Sequence, residues 1–245
     1  MNNSVLITGG TGLIGRQIIQ EFITKGWTVY FTSTSENKAK ELMDFYKSDS
    51  IHKIVVDFYN EDAYEKIIDL LPDSIDAVIH NARDARNLQF TEGIVKDDHF
   101  LKELQMSVVS PYHLTHLLVD KKSLKDVIFI SSMYGLVSPN PLLYDDYESS
   151  SFPSYGTSKA AQIHLTKELA VRYAKRNVRV NAISYGGVKG RANAEFVGRY
   201  TSLCPMGRML DLVDDIFPPI WFIVNNRRLT MTGQNIQIDG GWTLI

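Results

Sequence analysis

The sequence predicts an α/β fold in which a doubly wound parallel sheet carries helices on both faces. Short β-rich apolar runs alternate with amphipathic runs along the whole chain, which is typical of a parallel sheet covered on both sides. The first run, Ser4–Thr8, enters a glycine turn and then a helical pattern. The length of 245 residues and the 44% hydrophobic content predict one domain, residues 1–245.

The elements follow one another regularly. We expect strands at Ser4–Thr8, Trp27–Ser33, Ile51–Asp57, Ile75–His80, Val127–Ser131, Val178–Ser184 and Gln234–Ile238. Helical spacing of apolar residues predicts helices over Arg16–Lys25, Lys38–Lys47, Ala63–Leu71, Leu101–Leu118, Ser158–Arg176 and Asp211–Val224. Tyr185–Gly207 is expected to be irregular. Ligands of such sheets bind beyond the carboxyl ends of the strands, so the polar residues at those ends form the expected site.

Composition narrows the function classes. The net charge of -2 gives no argument for binding nucleic acid or an anionic membrane. No apolar run reaches the ~18 residues of a membrane span. The N-terminal residues lack signal-peptide features and Cys204 is the only cysteine, so a reducing cytoplasm is expected. His113 and His116 lack a third ligand, so no metal site is expected.

A glycine turn follows the first strand. Gly10, Gly12 and Gly15 have the spacing G-x-G-x-x-G between a strand and a helix. Glycines there permit a tight turn and the close approach of a pyrophosphate, whose charge then lies at the helix N-terminus. The sequence therefore predicts a dinucleotide site.

The end of the second strand bears on the choice of cofactor. An acid there accepts the ribose hydroxyls of NAD, but between Trp27 and Ser35 the sequence has no acid, and the first one is Glu36. Hydroxyl side chains around Ser33, with Lys38 as the nearest cation, favour the 2′-phosphate of NADP(H), while NAD(H) stays open. Asp57 ends the third strand, where it either binds the adenine amino group or caps the next helix.

A tyrosine and a lysine stand four residues apart at Tyr155 and Lys159. On a helix this spacing places both side chains on one face. A nearby ammonium favours the phenolate and lowers the tyrosine pKa from about 10. The pair is then a proton donor and acceptor usable near neutral pH.

Taken together, the motifs resemble those of the short-chain dehydrogenase/reductase family over essentially the whole chain. The resemblance rests on Thr8-Gly9, Ser132, Tyr155, Lys159, and the endings Thr232-Gly233-Gln234 and Asp239-Gly240-Gly241. It implies a Rossmann-like sheet of seven strands and hydride transfer at a carbonyl or alcohol carbon. It also implies that Tyr155 is the general acid/base, Ser132 orients the substrate oxygen, and Lys159 lowers the tyrosine pKa and binds the nicotinamide ribose. The implied cofactor-binding residues are Gly9, Thr11, Gly12, Leu13, Ile14, Ser33, Asp57, Phe58, Asn81, Ala82, Tyr155, Lys159, Gly186 and Val188.

Three short motifs depart from the family pattern. Arg83 replaces a glycine after Asn81-Ala82, and its cation either reaches a phosphate or lies along the surface. Tyr185 replaces a proline before Gly186, which removes a rigid residue. Ser107 aligns with a catalytic asparagine whose main-chain carbonyl, in the family, holds a water that relays protons to the lysine. Pro111 has no N–H for the Ser107 carbonyl four residues earlier, so we expect that carbonyl to stay free for the relay.

The interval from Ser132 to Tyr155 is longer than the resemblance implies. Its extra segment, 137–153, carries prolines, tyrosines and acids that suit a polyhydroxylated ligand, although a plain surface insertion is the alternative. In detail the chain is similar to the branch associated with flagellin modification and surface-sugar biosynthesis. A sugar or amino-sugar derivative is therefore one expected substrate.

The predicted function is an NAD(P)-dependent oxidoreductase acting on a small carbonyl or alcohol. The alternatives are a dinucleotide-binding regulator that has lost turnover, or a sugar-nucleotide epimerase or dehydratase with tightly held NAD. The expected partners are a small-molecule substrate and further copies of the chain in a homotetramer or homodimer, with neither nucleic acid nor membrane.

Overall fold

A single parallel sheet organises the protein. The computed structural model describes residues 3–190 and 192–245, and within them seven strands pair in the order β3-β2-β1-β4-β5-β6-β7. Every neighbouring pair is parallel. The predicted fold class is confirmed. The strands are β1 Ser4–Ile7, β2 Thr28–Ser33, β3 Ile51–Val55, β4 Ser74–His80, β5 Ser123–Ser132, β6 Arg179–Tyr185 and β7 Asn235–Ile238.

Helices cover both faces of the sheet. In chain order they are α1 Leu13–Thr24, α2 Glu36–Tyr46, α3 Ala63–Leu70, α4 Asp97–Leu104, α5 Ser110–Lys121, α6 Tyr147–Ser150, α7 Pro153–Tyr173, α8 Ala194–Leu203 and α9 Phe217–Asn225. Apolar residues of α1, α2 and α9 pack in one core cluster, whereas those of α3, α5 and α7 pack in the other. Central strands are apolar on both sides because both sides are covered.

The strand order reverses between β1 and β4. Crossovers from β1 proceed to one side and those from β4 to the other, so a crevice opens beyond the carboxyl ends of these two strands. The glycine turn follows β1 and Asn81 follows β4 at this crevice. The fold therefore brings the predicted site residues to one edge of the sheet.

The expected helix over Leu101–Leu118 is interrupted. A π-helical turn, Gln105–Val109, separates α4 from α5, and Pro111 lies just after it. The prolyl nitrogen cannot donate to the carbonyl of Ser107, which leaves that carbonyl without its α-helical partner.

Three other boundaries differ from expectation. The helix predicted over Ser158–Arg176 begins at Pro153, whose missing N–H suits the first helical position, so Tyr155 lies within α7. The predicted irregular stretch Tyr185–Gly207 contains α8, which begins after Asn193 caps the Phe196 N–H. The helix predicted over Asp211–Val224 begins only at Phe217, because the Asp215 carboxylate accepts the Asp211 N–H at 2.7 Å and closes a turn. Among the described residues, no helix is both long and apolar enough to cross a bilayer.

Candidate active site

A cleft of about 580 Å³ lies beyond the carboxyl ends of the strands. Its floor is the glycine turn after β1. Gly9 has φ +69°, and a Cβ there would lie 2.8 Å from Ala82 Cα. A Cβ on Gly15 would lie 2.4 Å from the Gly9 carbonyl oxygen. These two glycines are therefore required by the packing of the turn itself.

Gly12 differs from its neighbours, since its open side faces the cleft. A Cβ there would meet only the Gly9 carbonyl oxygen, at an ordinary 3.4 Å. The first-turn N–H groups of a helix lack intrahelical acceptors. Gly12 is the N-cap of α1 and has no side chain to accept from them, so they stay available to a ligand. A helix N-terminus of this kind is suited to the pyrophosphate of a dinucleotide.

A hydrogen-bonded network fixes the loop after β4 to the turn. The Asn81 side-chain amide donates to the carbonyls of Thr8 and Gly9 at 3.0 and 3.1 Å. The Thr8 hydroxyl accepts from the main-chain N–H groups of Asn81 and Ala82, both at 3.0 Å. Asn81 is thus a structural link between the two strand ends that border the crevice.

The end of β2 presents hydroxyl groups and one cation to the cleft. Ser33 Oγ lies 3.3 Å from Thr11 Oγ1, and both residues line the cleft together with Lys38. Glu36, the nearest acid, pairs instead with Lys53 on β3. The side chains that the end of β2 contributes to the cleft are therefore hydroxylic or cationic.

Asp57 lines the same end of the cleft. Its Oδ1 accepts the Tyr59 N–H at 3.1 Å, which closes a turn after β3. Helix α3 begins later, at Ala63, and its N-cap is Asp62. The structure thus excludes helix capping as the role of Asp57.

Tyr155 and Lys159 lie on one face of α7, near its N-terminus. Tyr155 is half-buried in the cleft wall, while Lys159 is only 6% exposed. The Lys159 ammonium donates to the Ile130 carbonyl at 2.8 Å and to Gln162 Oε1 at 3.2 Å. Burial lowers the pKa of Lys159 to about 8, Glu103 opposes this shift, and Arg83 adds to it. Lys159 can therefore change charge close to neutral pH.

Strand β5 supplies Ser132 to the same wall. Ser132 Oγ accepts the Tyr134 N–H at 3.2 Å and lines the cleft. One residue earlier, the Ser131 hydroxyl donates to the Lys159 carbonyl at 3.2 Å, which ties β5 to α7. The positions of Ser132 and Tyr155 are thus set by adjacent, mutually bonded elements.

Arg83 covers the tyrosine. Its guanidinium carbon lies 4.5 Å from the centre of the Tyr155 ring, and the residue lines the cleft. Cations over aromatic faces are attracted by the ring quadrupole. The sequence offered two positions for Arg83, at a phosphate or along the surface. The structure adds a third, because the guanidinium lies against Tyr155, the residue expected to exchange the proton.

Ser107 lies behind the cleft rather than along it. Its carbonyl accepts the Gln162 Nε2 donor at 3.0 Å, and its hydroxyl donates to Glu103 Oε1 at 3.1 Å. Ser158 also donates to Glu103 Oε1, at 3.2 Å. Glu103 is fully buried, and its Oε2 has no hydrogen-bond partner among the described residues. Sequence reasoning missed Glu103, Ser158 and Gln162. The available signal was helical spacing: Glu103 is a polar residue four positions before Ser107, and Ser158 and Gln162 are polar residues one position before and three positions after Lys159.

Tyr185 has taken over the anchoring that a proline would give. It is buried, and its hydroxyl donates to the Ile216 carbonyl. Burial raises the pKa of Tyr185 well above 10. The Gly186 N–H donates to the Ile238 carbonyl at 2.8 Å, so the strand end is held without proline.

The insertion 137–153 is packed onto the protein. The Tyr144 hydroxyl lies 3.1 Å from that of Tyr134, and its ring centre lies 5.7 Å from that of Phe196 on α8. Asp145 pairs with Arg199, also on α8. None of residues 137–153 lines the cleft. The insertion supports the wall behind Tyr155 instead of offering Tyr144 to a ligand in the cleft.

The structure thus brings together all but one of the residues predicted for the site, Ser107 being the exception. Those that line the cleft are Gly9, Thr11, Gly12, Leu13, Ile14, Ser33, Asp57, Phe58, Asn81, Ala82, Ser132, Tyr155, Lys159, Gly186 and Val188. Ser107 reaches Lys159 through Gln162. Among the described residues no group of three His, Cys, Asp or Glu side chains is arranged to hold a metal ion.

Comparison with known proteins identifies the family. The family described as short chain dehydrogenase matches residues 3–199. This chain belongs to that family. It is an oxidoreductase of the short-chain dehydrogenase type, and the resemblance inferred from its motifs is confirmed.

One relative and two solved structures match nearly the full length of the chain, and a second relative matches about half of it. The chain is 28% identical to the 3-oxoacyl-acyl-carrier-protein reductase of Aquifex aeolicus, covering 96% of this chain and 95% of the relative. It is 31% identical to post-translational flagellin modification protein A of Campylobacter coli, but over 51% of this chain and 48% of that protein. A short chain dehydrogenase of Leptospira borgpetersenii with bound NAD+ superposes with a TM-score of 0.84 at 25% identity, covering 99% and 93% of the two chains. ElxO with NADP bound superposes with a TM-score of 0.81 at 25% identity and full coverage of both chains.

Proposed function

We propose that this protein is an NADP(H)-preferring oxidoreductase that interconverts a carbonyl and an alcohol on a small molecule. The observation that carries the proposal is the presence of Ser132, Tyr155 and Lys159 in one cleft with the glycine turn. Bound NADPH would supply the hydride in the reductive direction. The chain itself must then bind the cofactor, orient the substrate oxygen and deliver one proton to it.

The cofactor site follows from the described residues. The N-terminal amides of α1 would hold the pyrophosphate, and the open side of Gly12 leaves room for it. Thr11, Ser33 and Lys38 would surround the adenosine 2′-phosphate, because Glu36 pairs with Lys53 and the end of β2 offers hydroxyls and a cation. Asp57, which lines the same end of the cleft after β3, would bind the adenine amino group. ElxO binds NADP and the Leptospira protein binds NAD+, so both cofactors occur among structures of this shape.

Proton transfer is assigned to Tyr155. In reduction its hydroxyl would give a proton to the substrate oxygen, which Ser132 would hold by a hydrogen bond. Protonated Lys159 stabilises the phenolate left behind, because an ammonium nearby favours the charged form. The sum is one carbonyl, one NADPH and one proton converted into one alcohol and one NADP+.

We extend the proposal to a sugar or amino-sugar derivative as substrate. It is supported by the similarity to a flagellin modification protein over half of the chain. The packing of residues 137–153 against α8 means that a substrate would meet the wall that they support. An NADPH-oxidation screen of keto-sugars, amino-sugars and simple ketones tests this extension, and turnover of simple ketones alone would contradict it.

The assembly and compartment belong to the same proposal. We propose a homotetramer or homodimer in the cytoplasm, as is usual for relatives of this type. The outermost strand β7 pairs only with β6 among the described strands, which leaves one edge for further contacts. Sedimentation velocity at micromolar concentration measures the assembly, and a monomer would contradict it.

The main reaction is tested by deuterium transfer. The protein is incubated with NADPH carrying deuterium at nicotinamide C4 and with each carbonyl of the screen. Mass spectrometry of the product should find the label on the carbinol carbon. NADPH consumption without label in the alcohol would overturn the proposal, and faster turnover with NADH would overturn the stated cofactor preference.

A further inference from the structure

Lys159 is held from behind by a side chain rather than by solvent. Gln162 lies one turn after Lys159 on α7 and is 2% exposed. Its Nε2 donates to the Ser107 carbonyl at 3.0 Å, while its Oε1 accepts from the Lys159 ammonium at 3.2 Å. One carboxamide therefore spans the gap between the interrupted helix and the active-site lysine.

The two partners fix the orientation of this amide. A carbonyl can only accept and an ammonium can only donate, so the opposite orientation would set donor against donor and acceptor against acceptor. Ser107 offers its carbonyl because Pro111 supplies no N–H to it. The bridge thus depends on the sequence of two elements, with Pro111 freeing the acceptor and Gln162 filling it.

We propose that Gln162 takes the place of a bridging water at this point, fixing Lys159 in position and closing the proton path behind it. This inference rests on the proposed function only for its kinetic consequence. A carboxamide bonds on both sides but neither releases nor gains a proton near neutral pH. The proton that restores Tyr155 after each reduction must then come from the open side of the cleft.

The charges that face Lys159 act with the bridge. On its own helix it faces Tyr155, α4 contributes Glu103, and the loop after β4 contributes Arg83. Two ammonium hydrogens are used by Ile130 and Gln162, so the third is left for the cleft. Gln162 is therefore a positioning residue for Lys159.

Two variants separate this role from a merely structural one. Gln162→Ala removes the amide and leaves a buried space bordered by a carbonyl and an ammonium, where a water has polar partners. Gln162→Leu keeps nearly the same volume but offers no hydrogen bond. Both lose packing or polar contacts, yet only the leucine variant leaves Lys159 without a partner at this position.

The decisive readout needs no turnover. Crystal structures of the wild-type protein and of Gln162→Ala, each soaked with NADP+, should show no water between Ser107 O and Lys159 Nζ in the first and a water touching both in the second. A water bridging these atoms in the wild-type protein, with Gln162 turned away, would overturn the proposal. This result stands even if the protein has no reductase activity, so failure of the bridge and failure of the proposed function are distinguishable.

The kinetic measurement is the pH profile of kcat/KM for NADPH, and the quantity compared is the apparent pKa of its alkaline limb, where activity falls as pH rises. In Gln162→Leu we expect the limb to move about one pH unit toward acid, because a lost hydrogen bond disfavours the charged lysine. In Gln162→Ala it should stay within about 0.3 units of wild type, since water restores the bond. Equal limbs in all three proteins would overturn the positioning role, because a structural defect lowers activity without moving a pKa.

Discussion

The buried Glu103 should control the charge of Lys159 without touching the cleft. Glu103 accepts two hydroxyl hydrogen bonds through Oε1, and its negative charge raises the pKa of Lys159 against the effect of burial. Glu103→Gln keeps a carbonyl oxygen for both hydroxyls and removes the negative charge. It also places an amide NH2 where the buried Oε2 has no partner among the described residues, which lowers stability, so the quantity to measure is a shift in pKa rather than a loss of activity.

The magnitude follows from Coulomb's law. At an effective dielectric constant of about 20, two nearby opposite unit charges interact by a few kcal/mol, which is on the order of one to two pKa units. Burial already lowers the pKa of Lys159 to about 8, and loss of the attraction to Glu103 should lower it further. A larger share of Lys159 would then be neutral at pH 7.5, and its support for the Tyr155 phenolate would fall.

The assay is the pH dependence of kcat/KM for NADPH, which reports groups of the free enzyme. The alkaline limb of Glu103→Gln should lie one to two units below that of wild type, by the same estimate. Glu168→Gln is the matched control, because Glu168 lies on the same helix as Lys159 but is exposed and pairs with His164 at the surface. If the alkaline limb of Glu103→Gln does not move, or moves toward alkali, the Glu103 charge does not raise the pKa of Lys159.

Four further substitutions test three separate parts of the site. Arg83→Gly removes a positive charge that lowers the pKa of Lys159, so the same limb should move toward alkali, by about half a unit given the exposure of Arg83; a shift toward acid would contradict this. Gly12→Ala should weaken NADPH binding at least ~10-fold in calorimetry while Tm changes by less than about 3 °C, since its Cβ meets only one atom at 3.4 Å. Gly15→Ala, whose Cβ would lie 2.4 Å from a carbonyl oxygen, should instead lower Tm; equal effects of the two alanines would contradict the distinction. Lys38→Met should raise the Kd of NADPH about tenfold and leave that of NADH unchanged, whereas equal losses would mean that Lys38 does not bind the 2′-phosphate.

The sheet was predictable because its signals are local. Each buried strand is a short apolar run, and the glycine turn stands between a strand and a helix whatever packs around it. The carboxyl ends of parallel strands share one edge, so the positions of Asn81, Ser132 and Gly186 followed from the strand assignments alone. The four-residue spacing of Tyr155 and Lys159 predicts a shared helix face, although the apolar pattern begins the helix only at Ser158 and the structure begins it at Pro153.

Helix boundaries depended on interactions that the pattern does not contain. Asp211–Asp215 carries an amphipathic pattern but closes as a turn through the Asp215 carboxylate, so α9 starts at Phe217. Periodicity predicts a continuous helix over Leu101–Leu118, within which Pro111 leaves the Ser107 carbonyl without a donor. Its π turn depends on the packing of Gln105–Val109 against α7, which periodicity cannot express.

The hydrogen-bonded residues behind Lys159 (Glu103, Ser107, Ser158 and Gln162) could not be predicted from the sequence, because their roles depend on which residues of other elements they contact. Gln162 and Glu103 each look like one polar residue on an amphipathic helix. Only when α4 and α7 are packed together does Gln162 meet the Ser107 carbonyl and Glu103 meet Ser158. Similarly, the segment 137–153 has a composition suited to a ligand, but its Tyr144 is used to pack against Phe196.

The proton-transfer role of Tyr155 is the central claim, and one variant tests it directly. Tyr155→Phe removes the hydroxyl and keeps the ring beneath Arg83. Tyr134→Phe is the control, because Tyr134 stands beside Tyr155 but directs its hydroxyl to Tyr144. NADPH affinity and single-turnover hydride transfer are measured for both variants. We expect Tyr155→Phe to bind NADPH within about threefold of wild type but to lose at least ~100-fold in turnover, while Tyr134→Phe retains both. Turnover by Tyr155→Phe at the wild-type rate would contradict this expectation.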